Sequence, residues 1–130
     1  MTDLNEDKKP PKVNVLALDL EGTLISDVFS RVPRPRLLEF LEFCHNSFPR
    51  IVIFTGASEK YFREVARELV NNEKAPFWFS SLEYIHWDKE IKDLRFIPDA
   101  DPKRCILIDD YPSYIHPQQI NNWIPINLFT

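Results

Sequence analysis

The chain has very little glycine: two residues in 130, where average usage would supply about nine. Gly22 and Gly56 each follow a buried-looking apolar run that ends in an oxygen-bearing side chain. Glycine permits sharp turns and a close approach of the backbone to another group. The shared placement therefore predicts two tight turns at which the backbone comes close to a ligand.

Cysteine and long apolar runs are scarce as well. Cys44 and Cys105 are the only cysteines, which excludes a disulfide framework, and their spacing matches no metal motif. No apolar run reaches the length of a membrane span, and the polar, acidic N-terminus lacks the pattern of a secretory signal. We therefore expect a cytoplasmic protein with no membrane partner.

The charge balance is mildly acidic, with a net charge of −4 at neutral pH. This excludes a general basic field for nucleic acid, so no nucleic-acid partner is predicted. The content of 44% hydrophobic and 28% charged residues is typical of a folded globular chain. We expect residues 1–12 to form a flexible polar tail and residues 13–130 to form a single domain.

Apolar runs and helical periodicity alternate along the chain. Runs typical of strands buried on both faces, and shorter candidate strands, occur at 13–19, 51–54, 77–79, 105–108 and 124–128. Amphipathic helices are predicted at 35–47, with Pro35 in the first turn, and at 58–72, with Ser58 as the N-cap. The alternation predicts an α/β fold: a three-layer, doubly wound parallel sheet of the Rossmann-like type, with helices on both faces.

Oxygen-bearing side chains follow three of the predicted strands. Asp19 and Glu21 come after the first strand, Thr55 after the second, and Asp109 and Asp110 after a later one. Since ligands bind beyond the carboxyl ends of parallel strands, these groups are expected at one sheet edge. Four close carboxylates need a counter-charge, which a hard divalent cation such as Mg²⁺ and a lysine can supply. The alternative is that the acidic pairs only cap turns.

Such a site suits phosphoryl transfer. A carboxylate beside Mg²⁺ and a phosphate can act as a nucleophile and form an aspartyl-phosphate. The phosphoryl oxygens then need hydrogen-bond donors and cations around them. Thr55, the backbone N–H groups next to it and one lysine are candidates, and Lys92 and Lys89 compete for the lysine position.

The order Asp19-x-Glu21-Gly22-Thr23, then Thr55, a lysine and Asp109–Asp110 resembles the haloacid dehalogenase superfamily of phosphatases. The resemblance spans nearly all of residues 13–128. Lys92–Asp93–Leu94 and the Pro-Ser-Tyr-Ile-His-Pro segment at 112–117 are similar to the branch of the RNA polymerase II C-terminal-domain phosphatases, the NLI-interacting-factor-like branch. The Asp-Leu after Lys92 favours this lysine over Lys89.

The resemblance implies a role for each catalytic candidate. Asp19 would be the nucleophile and a ligand of Mg²⁺. Glu21 would protonate the leaving group and then activate water, with its backbone carbonyl also on the metal. Thr55 would hydrogen-bond the phosphoryl group, and Lys92 would neutralise the charge of the nucleophile and the phosphate.

The resemblance also implies the remaining site residues. Asp109 and Asp110 would complete the metal site, Thr23 would hold the turn geometry, and Thr23 and Gly56 would line the substrate site. The branch usually has aspartate at the position of Glu21 and an acid at that of Gly22, so the first motif departs from its pattern. Neither gap between motifs has room for a sizeable cap domain, which favours phosphoserine or phosphothreonine proteins as substrates over a nucleotide or sugar phosphate.

Two alternatives remain beside the phosphatase interpretation. A phosphatase-like module could bind a phosphorylated or protein partner without turnover if Glu21 does not support catalysis. A two-component receiver domain also combines acids, a threonine and a lysine, but its acid pair precedes its single phosphorylated aspartate, the reverse of the order here. Arg31, Arg34 and Arg36, which flank the predicted site, are interpreted either as a solvated loop or as contacts to a phosphorylated partner.

Overall fold

A parallel five-stranded sheet forms the centre of the protein in a computed structural model, which describes residues 12–88 and 90–130. The strands are β1 (Val15–Leu18), β2 (Arg50–Thr55), β3 (Glu83–His86), β4 (Cys105–Asp109) and β5 (Trp123–Pro125). Their order is β3-β2-β1-β4-β5, and all pairs are parallel. The predicted doubly wound α/β sheet is confirmed, and the described ranges contain no large cap.

The central strands are apolar on both faces because both faces are covered. In β1, Leu16 and Leu18 enter one apolar layer, whereas Val15 and Ala17 enter the other. Leu18 of β1 is aligned with one residue on each neighbouring strand, Ile53 of β2 and Ile108 of β4. This register brings the residues that follow β1, β2 and β4 to the same edge of the sheet.

Both α-helices contribute to one of these layers. They are α1 (Leu37–Ser47) and α2 (Glu59–Asn71). Helix α1 begins at Leu37 and not at 35, since Arg36 takes a left-handed backbone conformation with φ of 66°. The hydroxyl of Ser58 accepts a hydrogen bond from the Tyr61 N–H, which confirms the predicted N-cap. In the described chain, neither helix is long and apolar enough to cross a bilayer.

The other face of the sheet is covered by connecting chain and short 3-10 helices. These helices comprise Leu94–Phe96, Pro102–Arg104, Pro112–Tyr114 and Pro117–Asn122. Trp87, Leu94, Ile97 and Ile115 pack in this second layer against the inner residues of the strands. The helices on this face are therefore 3-10 turns, and three of the four begin with a proline.

The strand predicted at 77–79 is wrong. Residues Phe77–Ser81 form a 3-10 helix after Pro76, with Phe77 largely exposed and Phe79 buried edge-on against Phe62. Successive side chains of a β-strand point to opposite faces of the sheet, and this segment does not take that extended conformation. The third strand lies further on, at β3, whose edge position leaves Glu83 and His86 exposed and so removes any continuous apolar run. The last strand starts at Trp123, one residue before the predicted 124–128 segment.

A buried carboxylate joins two of the 3-10 helices. Asp93 accepts hydrogen bonds from the Arg95 guanidinium, at 3.0 Å from Nε and 2.6 Å from Nη2, and from Gln119 Nε2 at 2.9 Å. Gln119 Oε1 accepts in return from the Leu94 N–H. The Arg95 hydrogen bonds, with help from the Arg95 N–H and Gln119, hold the pKa of Asp93 well below its ordinary value.

The depressed pKa makes this link pH-dependent in a defined direction. The folded state favours the ionised form of Asp93. The stability that this carboxylate contributes is therefore fully present above the ordinary pKa of 3.8 and is lost as the pH falls through the lower pKa of the folded state. We expect Asp93→Asn to lower the free energy of unfolding by about 1–3 kcal/mol at neutral pH. In urea unfolding, the difference in free energy between the wild type and Asp93→Asn should narrow below pH 4. The control Asp88→Asn, at an exposed position, should leave the free energy of unfolding nearly unchanged. A constant difference at all pH values would contradict the assignment.

Candidate active site

A buried lysine joins two acidic strand ends. Asp19 follows β1 and donates its backbone N–H to the Ile108 carbonyl at 3.0 Å, which holds it beside β4. Lys92 Nζ lies 2.8 Å from Asp19 Oδ1 and 2.5 Å from Asp109 Oδ2. Lys92 is only 1% exposed and Asp19 6%, so the three charges meet almost without solvent. Lys89, the alternative lysine, lies outside the described residues.

The turn after Asp19 needs its glycine. Gly22 has φ of +78°, and a Cβ at this position would lie 2.8 Å from both Asp110 Oδ2 and Leu128 Cδ1. A side chain would therefore be strained and would displace the Asp110 carboxylate. The tight turn predicted at Gly22 is confirmed, and the absence of an acid at this position has a steric reason. Gly56 lies in the bend directly after Thr55.

Thr23 connects the two sides of the acidic cluster. Its buried hydroxyl lies 2.8 Å from Asp19 Oδ2 and 3.1 Å from Asp110 Oδ1. Asp109 accepts from the Tyr111 N–H as well as from Lys92, so both of its carboxylate oxygens have a donor. Asp19, Asp109 and Asp110 can each present an oxygen so that all three atoms lie within 4.8 Å of one another.

Burial makes the ionised forms of these carboxylates unfavourable. Desolvation raises the pKa of Asp19 to about 8, and the neighbouring Asp109 adds to this while Lys92 opposes it. Desolvation also raises the pKa of Asp109 against the effect of Lys92. When all three carboxylates are ionised, one ammonium leaves two negative charges uncompensated. A divalent cation would supply that charge and stabilise the ionised forms.

The donor set fits a hard cation. Carboxylate oxygens are the ligands of Mg²⁺, and nothing in the cluster of Asp19, Asp109 and Asp110 is a soft sulfur or nitrogen ligand. This buried cluster therefore has the ligands to hold a divalent metal ion. Asp110 is the least buried of the three, which leaves the cluster open on its side.

Glu21 and Thr55 stand outside this hydrogen-bonded cluster. The Glu21 carboxylate accepts a hydrogen bond from the Val28 N–H at 3.1 Å, in the segment between β1 and α1. Thr55 is buried at the end of β2, and its hydroxyl accepts from the Ala57 N–H at 3.1 Å. Both residues lie at the same sheet edge as Asp19, but no hydrogen bond among the described residues joins them to it.

The arginines before α1 are engaged within the fold. Arg34 donates to the carbonyl oxygens of Thr23, Gly22 and Asn127 at 2.6, 3.2 and 2.5 Å, and so ties the C-terminal segment to the first turn. Arg31 pairs with Glu64 and Glu68 on α2, and the exposed Arg36 pairs with Glu39. Arg34 is thus a structural clamp, which the sequence did not indicate because its partners are backbone groups.

Sequence reasoning also missed the aromatic surroundings of Lys92. Phe54, Trp87 and Tyr114 all place their rings within about cation–π range of its Nζ atom. The ring centroid of Trp87 lies nearest to Nζ of the three. No local signal marks it, since it follows an edge strand that the apolar pattern did not predict.

Comparison with known families agrees with this geometry. The sequence model of the family described as NLI interacting factor-like phosphatase matches residues 14–130, nearly the whole chain. A comparison with curated proteins finds no match. Membership supports a phosphatase role, and it confirms the resemblance that the acidic motifs, the lysine and the His-Pro segment indicated. The chain belongs to the NLI interacting factor-like phosphatase family, a part of the haloacid dehalogenase-like group of C-terminal-domain phosphatases.

Proposed function

We propose that this protein is a Mg²⁺-dependent phosphatase that hydrolyses a phosphomonoester through an aspartyl-phosphate on Asp19. The observation that carries the proposal is the bridge of Lys92 between Asp19 and Asp109 at the sheet edge, in a chain of a phosphatase family. Both Asp19 oxygens have a donor, Lys92 on one and Thr23 on the other. These donors support an oriented carboxylate that is ready to attack phosphorus.

In the first half-reaction, an Asp19 oxygen attacks the phosphorus atom and the bond from phosphorus to the ester oxygen breaks. Glu21 gives its proton to the leaving oxygen, which departs as an alcohol. Thr55 and the N–H groups near Gly56 hydrogen-bond the phosphoryl oxygens, and Lys92 offsets negative charge on Asp19 as the transfer proceeds.

In the second half-reaction, Glu21 takes a proton from water, and the water oxygen attacks the phosphorus of the aspartyl-phosphate. The bond between phosphorus and Asp19 breaks, which releases phosphate and restores the carboxylate. Asp19, Asp110, the main-chain carbonyl of Glu21 and the adjoining Asp109 are the residues we assign to Mg²⁺. When bound, the ion supplies charge stabilisation for the phosphoryl oxygens.

The substrate class that we propose is a phosphoserine or phosphothreonine protein. The described ranges contain no large cap over the sheet edge, and Asp110 is only partly buried. A site without a cap admits a phosphorylated side chain that is part of a larger surface. The alternative, a module that binds a phosphorylated partner without turnover, rests on Glu21 in place of the usual aspartate.

The nucleophile assignment is tested by replacing one atom. We expect the wild-type chain with Mg²⁺ to hydrolyse an aryl phosphate and phosphoserine peptides, and Asp19→Asn to lower kcat by roughly 10³-fold or more. Initial rates and thermal unfolding measured on both proteins separate lost chemistry from lost folding. Equal rates in the two proteins would refute the assignment. Phosphopeptide binding without hydrolysis by the wild type would establish the non-catalytic alternative.

The acid–base role of Glu21 predicts a dependence on the leaving group. Glu21→Gln keeps an acceptor for the Val28 N–H but cannot transfer a proton. We expect it to slow hydrolysis of a serine phosphopeptide by about 10²- to 10⁴-fold. With an aryl phosphate, whose leaving group needs little protonation, a hydroxylamine-sensitive phosphoenzyme should accumulate instead. Equal slowing for both substrates, with no phosphoenzyme, would argue against the role.

The metal assignment predicts a graded series at Asp110. Asp110→Ala removes a carboxylate ligand and the acceptor near Thr23, whereas Asp110→Asn keeps one oxygen. We expect the Ala variant to weaken Mg²⁺ binding by about 10- to 100-fold and the Asn variant to weaken it less. Isothermal titration calorimetry with Mg²⁺ in the absence of substrate measures the Mg²⁺ affinity directly. The control is Asp88→Ala, at an exposed position. Unchanged Mg²⁺ affinity in the Ala variant would contradict the assignment.

A further inference from the structure

Three aromatic rings lie near the ammonium group of Lys92, in addition to the two carboxylates. The ring centroid of Trp87 lies 4.9 Å from Nζ, that of Tyr114 5.8 Å and that of Phe54 6.0 Å. Trp87 is 4% exposed, so its ring lies in the second apolar layer with almost no contact to solvent. The nearest aromatic surface to the ammonium is thus a buried indole.

The rings are held by the backbone and by each other. The Lys92 N–H donates to the Tyr114 carbonyl at 2.7 Å, which fixes the lysine main chain beside the 3-10 helix that carries this tyrosine. Trp87 meets the Tyr114 ring edge-to-face with centroids 4.5 Å apart, and the Tyr111 ring also packs against Tyr114, with centroids 4.4 Å apart. Each ring is thereby restrained before the lysine side chain is considered.

An ammonium has three protons, and two of them have carboxylate acceptors here, on Asp19 and Asp109. A water molecule on the third side would compete for the charge and let the side chain shift. An aromatic face attracts the charge through its quadrupole and offers no lone pair that would draw the proton away. Indole has the strongest such face among the aromatic side chains.

The indole N–H of Trp87 gives an independent reason to assign this ring a role. Trp87 Nε1 is buried and has no hydrogen-bond partner in the described part of the chain. An unpaired buried donor destabilises the fold, and a phenylalanine ring at this position would carry no such donor. The attraction between the ring face and the Lys92 ammonium is the compensating interaction that the geometry offers.

We propose that Trp87 is a positioning residue that holds the Lys92 ammonium between Asp19 and Asp109. The catalytic consequence rests on the proposed function: a fixed ammonium offsets the charge of the nucleophile throughout phosphoryl transfer. The placement itself does not depend on turnover. It can therefore be tested in two ways, one that requires activity and one that does not.

The kinetic test compares two replacements of the same ring. With saturating Mg²⁺ and an aryl phosphate, Trp87→Leu should lower kcat by roughly tenfold or more and leave KM nearly unchanged, because the cation–π contact is lost. Trp87→Phe retains an aromatic face and should stay within about threefold of the wild type. Trp78→Leu is the control, since Trp78 packs in the other apolar layer and stacks on His45. Equal losses in the Leu and Phe variants, or a change in KM alone, would overturn the proposal.

The second test uses NMR of the unliganded protein. A ring facing Nζ should shift the Lys92 Hε resonances upfield of those of other lysines, and Lys92→Arg assigns them by their disappearance. Trp87→Leu should move these resonances downfield, whereas Trp78→Leu should not. Unshifted resonances in the wild type would overturn the placement. An upfield shift in a protein without phosphatase activity would support the placement and reject the proposed function.

Discussion

The site depends on one buried interaction, the contact of the Lys92 ammonium with Asp19 on one side and Asp109 on the other. The two carboxylates end neighbouring strands of the sheet, and the lysine comes from the chain that covers the second face. Almost no water reaches these groups, so their attraction is strong and an unpaired member would be costly. The interaction therefore joins the sheet to the covering segment and also sets the charge state of the predicted nucleophile.

Neighbouring residues hold the acidic groups in place around this contact. Thr23 links Asp19 to Asp110, and the left-handed turn at Gly22 lets Asp110 approach so closely that a side chain would not fit. Arg34 donates to two carbonyl oxygens of the same turn and to that of Asn127 in the C-terminal segment. The acidic excess that remains is the physical reason to expect a divalent cation at this edge of the sheet. Geometry and charge thus lead to the same class of chemistry as the family membership.

The sequence predicted much of this arrangement because its apolar runs show where the strands end. Branched apolar runs that stop at Asp19, Thr55 and Asp109 indicate parallel strands, and parallel strands bring their carboxyl ends to one edge. The same logic failed for residues 77–79, where an apolar run forms a 3-10 helix, and for β3, which is short, lies at the edge and has exposed polar residues. Runs of three or four residues do not carry enough periodicity to separate these cases.

What the sequence determined by itself is the list of chemical groups and the strands that deliver them: the acids, the threonine, the lysine motif and the two glycines. Tertiary structure decided which of these groups touch. It placed Lys92 between Asp19 and Asp109, held Glu21 by the Val28 N–H apart from them, and surrounded the lysine with Phe54, Trp87 and Tyr114. The contacts of Lys92 with Asp19 and Phe54 join residues far apart in the chain, and the contact of Glu21 is made by a backbone donor. Local sequence pattern and periodicity do not predict them.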